Sequence, residues 1–152
     1  MQSKARALAS LLWLAGTAAG CEGVEPCRED PGAQTLEQRV DVEIGDDTLL
    51  AELANDETAR DRGWKKRACD REALLLVPDQ PGPLPVWGCE LVDPIDVIGI
   101  RGEQVVFVER LDPCVAPCGG CPTVGDGVPV DAVLEVLADA LEARVGSPAS
   151  IP

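Results

Sequence analysis

The cysteines are the residues of this sequence with the most evident chemistry. Cys118 and Cys121 have Cys-x-x-Cys spacing, and Cys114 closely precedes them. A Cys-x-x-Cys pair at a helix N-terminus forms a redox centre, and three thiolates can ligate zinc. Residues 122–125 carry no helix signal, however. The pattern therefore favours structural disulfides, with zinc ligation and thiol exchange as the alternatives.

Aspartate provides the second set of candidates. Asp93 and Asp96 lie at the expected start of a strand. Two carboxylates could share a proton or hold a cation, but strand residues at this spacing point to opposite faces. The geometry therefore opposes a working pair unless a bulge intervenes, and a turn or capping carboxylate is the simpler interpretation. Trp87 and Asp96 are the candidates for ligand contact.

The composition excludes several mechanisms. The sequence has no His, so a Ser-His-Asp or Cys-His pair and an imidazole metal ligand are ruled out. Asp and Glu number 27 against 13 Lys and Arg, and the formal charge of -14 would repel nucleic acid. Asp46-Asp47 and Asp126, next to glycines, are typical of turns rather than calcium sites. We therefore predict no cofactor, no metal and no nucleic-acid partner.

The first residues have the pattern of an export signal. Lys4 and Arg6 precede a short apolar run, and small residues then lead to Cys21. This order predicts a signal peptide over residues 1–20. The apolar run is too short to span a bilayer, so it is not expected to remain as a membrane anchor. Ala18-Ala19-Gly20-Cys21 resembles the bacterial lipobox, which implies a lipid at Cys21. Glu22 is not the Asp typical of inner-membrane retention, so the resemblance implies an outer-membrane anchor facing the periplasm.

Export also bears on the remaining cysteines. With Cys21 set aside for lipid, an even number is left, which is typical of a disulfide framework in an oxidising compartment. The disulfide candidates are Cys27, Cys69, Cys89, Cys114, Cys118 and Cys121.

Hydropathy patterns divide the rest of the chain. Residues 21–36 carry almost no large apolar side chain and are predicted to form a flexible tether. Alternation predicts paired strands over 40–44 and 48–53. A short helix is predicted from an Asn55 cap to Gly63, and Lys65-Lys66-Arg67 is typical of a solvated turn. Residues 73–77, 86–91, 95–100 and 104–111 are predicted to form further strands.

The C-terminal stretch has two interpretations. Its apolar residues fall at helical spacing, which predicts one amphipathic helix over residues 131–144. Residues 133–137 could equally form a strand that precedes a helix. The tail, residues 147–152, is predicted to be loose.

Several strings, in this order, resemble a family called domain of unknown function 192. They are Glu57-Thr58-Ala59-Arg60-Asp61-Arg62-Gly63, Leu74-Leu75-Leu76-Val77-Pro78, Val86-Trp87, Pro94-Ile95-Asp96-Val97-Ile98, Pro113-Cys114, Cys121-Pro122 and Val133-Leu134-Glu135-Val136. The resemblance covers residues 40–146. The family's methionines and its Asn-Thr pair are replaced here, so an activity that used them would be lost or altered.

The resemblance implies an α+β fold. The expected domain, residues 37–146, is a single small unit with a curved, mostly antiparallel, barrel-like sheet and one or two short helices. The late segment would be a strand followed by a helix. Cys114 and Cys121 match the family's cysteine pair and would be bonded. Cys69 and Cys89 are both foreign to the family pattern and are the leading second pair, which leaves Cys118 for Cys27.

These features together predict an exported, lipid-anchored envelope domain that binds an envelope protein or a small ligand without catalysis. One alternative is a carboxylate-dependent enzyme that uses Asp96, the catalytic candidate because it matches the Asp of the family pattern. The other is a thiol-based metal or redox module that uses Cys114, Cys118 and Cys121.

Overall fold

The computed structural model describes residues 32–67 and 72–152. The predicted signal peptide, Cys21, Cys27, Cys69 and most of the predicted tether lie outside these residues. In chain order the described elements are β1 Arg39–Ile44, β2 Asp47–Ala54, α1 Glu57–Arg62, β3 Ala73–Leu76, β4 Gly82–Pro83, β5 Val86–Trp87, β6 Ile95–Arg101, β7 Gln104–Leu111, β8 Thr123–Val124, β9 Pro129–Val130, β10 Ala132–Leu137 and β11 Ala149–Ser150, with a short 3-10 turn at Cys118–Gly120.

Seven strands form one curved sheet in the order β11-β1-β2-β3-β10-β6-β7. Neighbouring strands are antiparallel except β2 and β3, whose connection contains α1. The two edges meet, because the Val105 N–H donates to the Ser147 carbonyl and the Ala149 N–H to the Glu103 carbonyl, both at 2.9 Å. The predicted barrel-like sheet is therefore confirmed, although the fold is mostly β, with less helix than an α+β domain.

The sheet buries both of its faces. Side chains of a strand alternate between faces, so Leu134 and Val136 of β10 point one way and Val133 and Glu135 the other. All seven strands contribute to the cluster around Leu134, which fills the barrel. The opposite cluster contains residues from outside the sheet, among them Trp64 and Leu91. The candidate site lies on this outer face, under a cover made of α1 and the β5 segment.

The short helix α1 is fixed at both ends. Asp56, one residue later than the predicted Asn55, is the N-cap, and its Oδ1 accepts from the Ala59 N–H at 2.9 Å. Gly63 ends the helix with φ of +47°, a conformation that favours glycine. A Cβ at Gly63 would lie 3.5 Å from both carboxyl oxygens of Glu135. The glycine therefore ends α1 next to the Glu135 carboxyl group, and it is its positive φ that favours glycine there.

The end of the predicted tether belongs to the domain. Gln34 is buried, and its Nε2 donates to the carbonyls of Ala59 and Gly63, both at 2.9 Å. The Leu36 N–H donates to Glu52 Oε2 at 2.8 Å. Residues 34–36 are thus packed against α1 and β2, and a tether that extends to residue 36 is wrong at its C-terminal end.

The C-terminal stretch contains the strand but not the helix. β10 confirms the strand interpretation, and turns and irregular chain follow it up to residue 148. The Ala138 N–H donates to the Pro94 carbonyl at 3.0 Å, and Asp139 has φ of +64°, which ends regular structure there. A helix after the strand and a single helix over 131–144 are both wrong. The tail predicted to be loose instead contains β11, in which Ala149 pairs with Ile44.

Candidate functional site

A glutamate carboxyl group lies at the centre of the candidate site. Glu135 is on β10, in register with Leu74 of β3 and Val97 of β6, so its neighbours within the sheet are apolar. Glu135 is 1% exposed, and among the described residues its Oε2 has no hydrogen-bond partner. Burying a polar oxygen without a partner costs stability. Such an atom in a native fold points to a functional position.

Burial changes the protonation of this group. The pKa of Glu135 is raised to about 8, because the carboxylate loses its hydration. The charge of Arg67, the backbone N–H of Trp64 and the charge of Lys65 lower the pKa and only partly offset this effect. At neutral pH the carboxyl group is therefore largely protonated, and its O–H is a hydrogen-bond donor.

A buried ion pair supports the residues around Glu135. Arg67 Nη2 donates to Glu52 Oε2 at 3.0 Å, and neither side chain is more than 6% exposed. The Arg67 guanidinium lies 5.1 Å from the centroid of the Trp64 ring, within cation-π range. The solvated turn predicted for Lys65-Lys66-Arg67 is therefore wrong for Arg67, which is buried against Trp64. Trp64 is itself 1% exposed, and its Nε1 has no partner among the described residues.

A cleft of about 380 Å³ opens between α1, Trp64 and the β5 segment. We call it the Glu135 cleft; its lining is Arg60, Asp61, Arg62, Gly63, Trp64, Lys65, Leu76, Leu84, Pro85, Val86, Trp87, Leu91 and Glu135. Trp87 is 43% exposed at the cleft, with Lys65 Nζ 5.4 Å from its ring centroid. Of the two candidates for ligand contact, Trp87 thus lines this cleft and Asp96 does not.

Asp96 is engaged in a structural ion pair. Arg110 donates from Nε to Asp96 Oδ1 at 2.9 Å and from Nη2 to Asp96 Oδ2 at 3.2 Å. The Asp139 N–H donates to Asp96 Oδ2 at 2.8 Å, and the Asp139 carboxylate also binds Arg110, at 2.7 Å. Arg110 lowers the pKa of Asp139, and the two carboxylates raise the pKa of Arg110. Both Asp96 oxygens are therefore occupied in holding the turn after β10, which opposes a catalytic role.

The cysteines adjoin the β5 wall of the cleft. Cys89 is bonded to Cys118 and Cys114 to Cys121, with Cα atoms 5.4 and 5.6 Å apart. The second pair is the one that the family resemblance implies. Bonds between Cys69 and Cys89 and between Cys27 and Cys118 are wrong, because Cys89 and Cys118 bond each other.

The disulfides also account for the possible metal ligands. Among the described residues, Cys89, Cys118 and Cys121 are the one group of three whose ligand atoms lie within 4.8 Å of one another. All three sulfurs are oxidised to disulfides and are not available as thiolates.

The other aspartates considered from the sequence lie apart from the cleft lining. Asp46, Asp47 and Asp126 are exposed at or next to turns. Asp93 does not join Asp96 in its ion pair.

Glu135 and Trp64 are the site residues that the sequence did not identify. A signal for Glu135 was present, since it is the one charged residue in the otherwise apolar stretch 132–137. A buried strand with one acid in its middle indicates a polar group that needs a partner or a ligand. The partners of Glu135 come from residues distant in the chain, and no local pattern indicates them.

The comparisons with known proteins identify the family. Residues 39–147 match the profile of domain of unknown function 192 (DUF192), whose description is "Uncharacterized ACR". The chain belongs to the DUF192 family. This confirms the resemblance of the sequence strings, and no curated protein matches the chain significantly.

Two solved structures share the fold of this DUF192 domain. One is a Sinorhizobium meliloti 1021 protein described provisionally as a transcription regulator; it has a TM-score of 0.63 and 18% identity, covering 78% of this chain and 97% of the other. The second is a protein of unknown function from Novosphingobium aromaticivorans DSM 12444, with a TM-score of 0.62, 20% identity and coverage of 89% and 99%. At these identities the likeness shows the fold alone. In the part of the DUF192 chain that the structure describes, no helix has the length and apolarity to cross a bilayer.

Replacing Asp96 in the DUF192 domain tests its structural role. We expect Asp96→Asn to lower the free energy of unfolding by about 1–3 kcal/mol, because Arg110 loses a charged acceptor. Urea denaturation would measure the change. Asp93→Asn is the matched control and should have little effect. Unchanged stability of Asp96→Asn would contradict the structural assignment.

The raised pKa of Glu135 makes stability depend on pH. Between the unfolded value of 4.5 and the folded value of about 8, the native state holds a proton that the unfolded state releases. The free energy of unfolding should therefore fall with rising pH across this window, by about 1.4 kcal/mol per pH unit from this group, and level off above it. Glu135→Gln should remove this component in urea titrations at several pH values. The same slope in wild type and variant would show that the group does not titrate as described.

Proposed function

We propose that this DUF192 domain is an exported, lipid-anchored binding module of the cell envelope that takes a small ligand in the Glu135 cleft. The observation that carries the proposal is the buried Oε2 of Glu135, which lacks a partner among the described residues and belongs to the lining of the cleft. A ligand group at this position would satisfy the atom. The volume of about 380 Å³ is within the range of small-molecule sites.

Binding is favoured over catalysis by what the cleft contains. Its lining has no Ser, Thr or Cys, and so no hydroxyl or thiol nucleophile. Asp96, the catalytic candidate, is held by Arg110 and Asp139 away from the cleft. The cysteines are in disulfides that hold the cleft wall. The remaining features, a polar floor with one apolar wall, are typical of a site that recognises a ligand.

The location outside the cytoplasm is supported by the sequence. The basic, apolar and small-residue order of residues 1–20 is typical of an export signal, and disulfides persist where the environment is oxidising. The lipobox-like string that ends at Cys21 supports a lipid anchor, with placement at the outer membrane facing the periplasm. Gln34 and Leu36 are bonded to the domain, so a tether would lie between Cys21 and these residues.

A fragment screen by NMR tests the binding role. We expect fragments that bind to perturb the indole N–H signals of Trp64 and Trp87, which both line the cleft. Leu84→Trp, which fills the apolar wall, should weaken these fragments, and Ser150→Thr at a separate cavity is the control. Fragments that bind elsewhere, or none that binds in the cleft, would contradict the proposed function.

Changing the lipobox cysteine tests the anchor. Cys21→Ser should move the protein from the membrane fraction to the soluble envelope fraction, because the acyl chains would be lost. Fractionation with immunoblotting measures the change, and Cys27→Ser is the control for loss of a cysteine. Unaltered membrane fractionation of Cys21→Ser would rule out the tether.

A further inference from the structure

Two buried polar atoms belong to residues that line the Glu135 cleft. Trp64 Nε1 carries an N–H with no acceptor among the described residues, and the Glu135 carboxyl oxygen Oε2 has no partner there either. Both residues are 1% exposed, so water in bulk does not satisfy them. When Glu135 is protonated, its O–H and the indole N–H are both hydrogen-bond donors. A ligand that reaches them must bring acceptor atoms.

The charge around the cleft is opposite to the charge of the chain. The whole chain has a formal charge of -14, yet the cleft is lined by Arg60, Arg62 and Lys65 against one acid other than Glu135, Asp61. Arg60 is partly engaged by the Val77 carbonyl and Asp79. Arg62 is exposed, and no ion pair engages it among the described residues. The cleft is therefore a local positive region on an acidic protein, which attracts anions.

The opposite wall of the cleft is apolar. Leu76, Leu84, Pro85, Val86 and Leu91 line it, together with the half-exposed ring of Trp87. These side chains would bury a short hydrocarbon or flat ring, whose contact with water is unfavourable. The cleft thus combines acceptor recognition at its floor, positive charge at its rim and an apolar wall.

We infer that the ligand of the Glu135 cleft is a small amphipathic monocarboxylate. Its two carboxylate oxygens accept from the Glu135 O–H and from the indole N–H of Trp64. Its apolar part lies against Leu76 and Trp87. A hydrogen bond between a neutral carboxyl group and a carboxylate is charge-assisted and short. Two acceptor oxygens match the two donors, and the apolar wall matches the hydrocarbon part. This inference rests on the proposed binding function.

The recognition depends on the proton of Glu135. The raised pKa keeps the group neutral below about pH 8, and above that value two carboxylates would repel each other. The charged groups that face Glu135 are Arg67, itself paired with Glu52, and Lys65 from the segment after α1. From α1, the rim adds Arg60, Asp61 and Arg62. On β3 and β6 the residues in register are Leu74 and Val97, which carry no charge.

The test uses three probes with the same six-carbon chain: hexanoate, hexanamide and hexylammonium. Binding to the exported protein is followed by the indole N–H signals of Trp64 and Trp87. At about pH 6 hexanoate should bind about tenfold tighter than hexanamide, since a charge-assisted hydrogen bond replaces a neutral one. Hexylammonium should bind more weakly than either. Equal binding of hexanoate and hexanamide, or preference for hexylammonium, would overturn the inference.

The pH profile distinguishes the contribution of Glu135 to binding from that of the basic residues at the rim, Arg60, Arg62 and Lys65. Wild-type affinity for hexanoate should be constant between about pH 6 and 7, where the probe is ionised, and fall about tenfold per pH unit above pH 8. Glu135→Gln keeps a donor that does not titrate, so its profile should be flat over this range, while Glu43→Gln, at the separate cavity, should follow wild type. A wild-type profile that stays flat would overturn the inference.

The fragment screen distinguishes failure of this inference from failure of the proposed function. If cleft-binding fragments are all neutral or cationic, the carboxylate assignment fails and the binding function stands. If no fragment binds in the cleft, both fail.

Discussion

The outer half of this structure depends on one constraint, the burial of the Glu135 carboxyl group in an apolar sheet. Strands on both sides of β10 place Leu74 and Val97 next to it, so the sheet offers the carboxyl group nothing polar. The cover must supply whatever polar contacts it has. Gly63 lies next to the two oxygens, and the backbone of Trp64 supplies an N–H. Arg67 adds a positive charge, and its own burial requires Glu52.

Two buried acids on neighbouring strands of the sheet, Asp96 and Glu135, show different solutions to the same problem. Asp96 is on β6 and is satisfied on both oxygens by Arg110 and the Asp139 N–H, close to solvent. Glu135 is on the neighbouring strand β10 and keeps one oxygen without a partner among the described residues. A satisfied acid fixes a turn, and an unsatisfied one is available to a ligand. The resemblance directed attention to Asp96, whereas the structure directs it to Glu135.

Local patterns predicted much of the sheet. Alternation over 40–44 located β1, and the strand predicted over 104–111 located β7 with its full length. The same reasoning failed after β10, because the apolar residues from 130 to 145 fit both a helical and a strand period. The conformation there is decided by bonds from distant residues: the Pro94 carbonyl accepts from Ala138, and Arg110 binds Asp139. The site was missed for the same reason, since α1 and the segment after it reach Glu135 only through the fold.

The disulfides place the wall of the cleft under the control of oxidation. Trp87 pairs with Thr123 of β8, and the chain on either side of this pair carries Cys89 and Cys121, each tied to the loop before β8. The floor residues Glu135, Gly63 and Trp64 include no cysteine. Under reducing conditions disulfides do not persist, so the wall would lose both cross-links. The shape of the cleft is therefore tied to the redox state of its surroundings, and reduction would loosen the wall that carries Trp87.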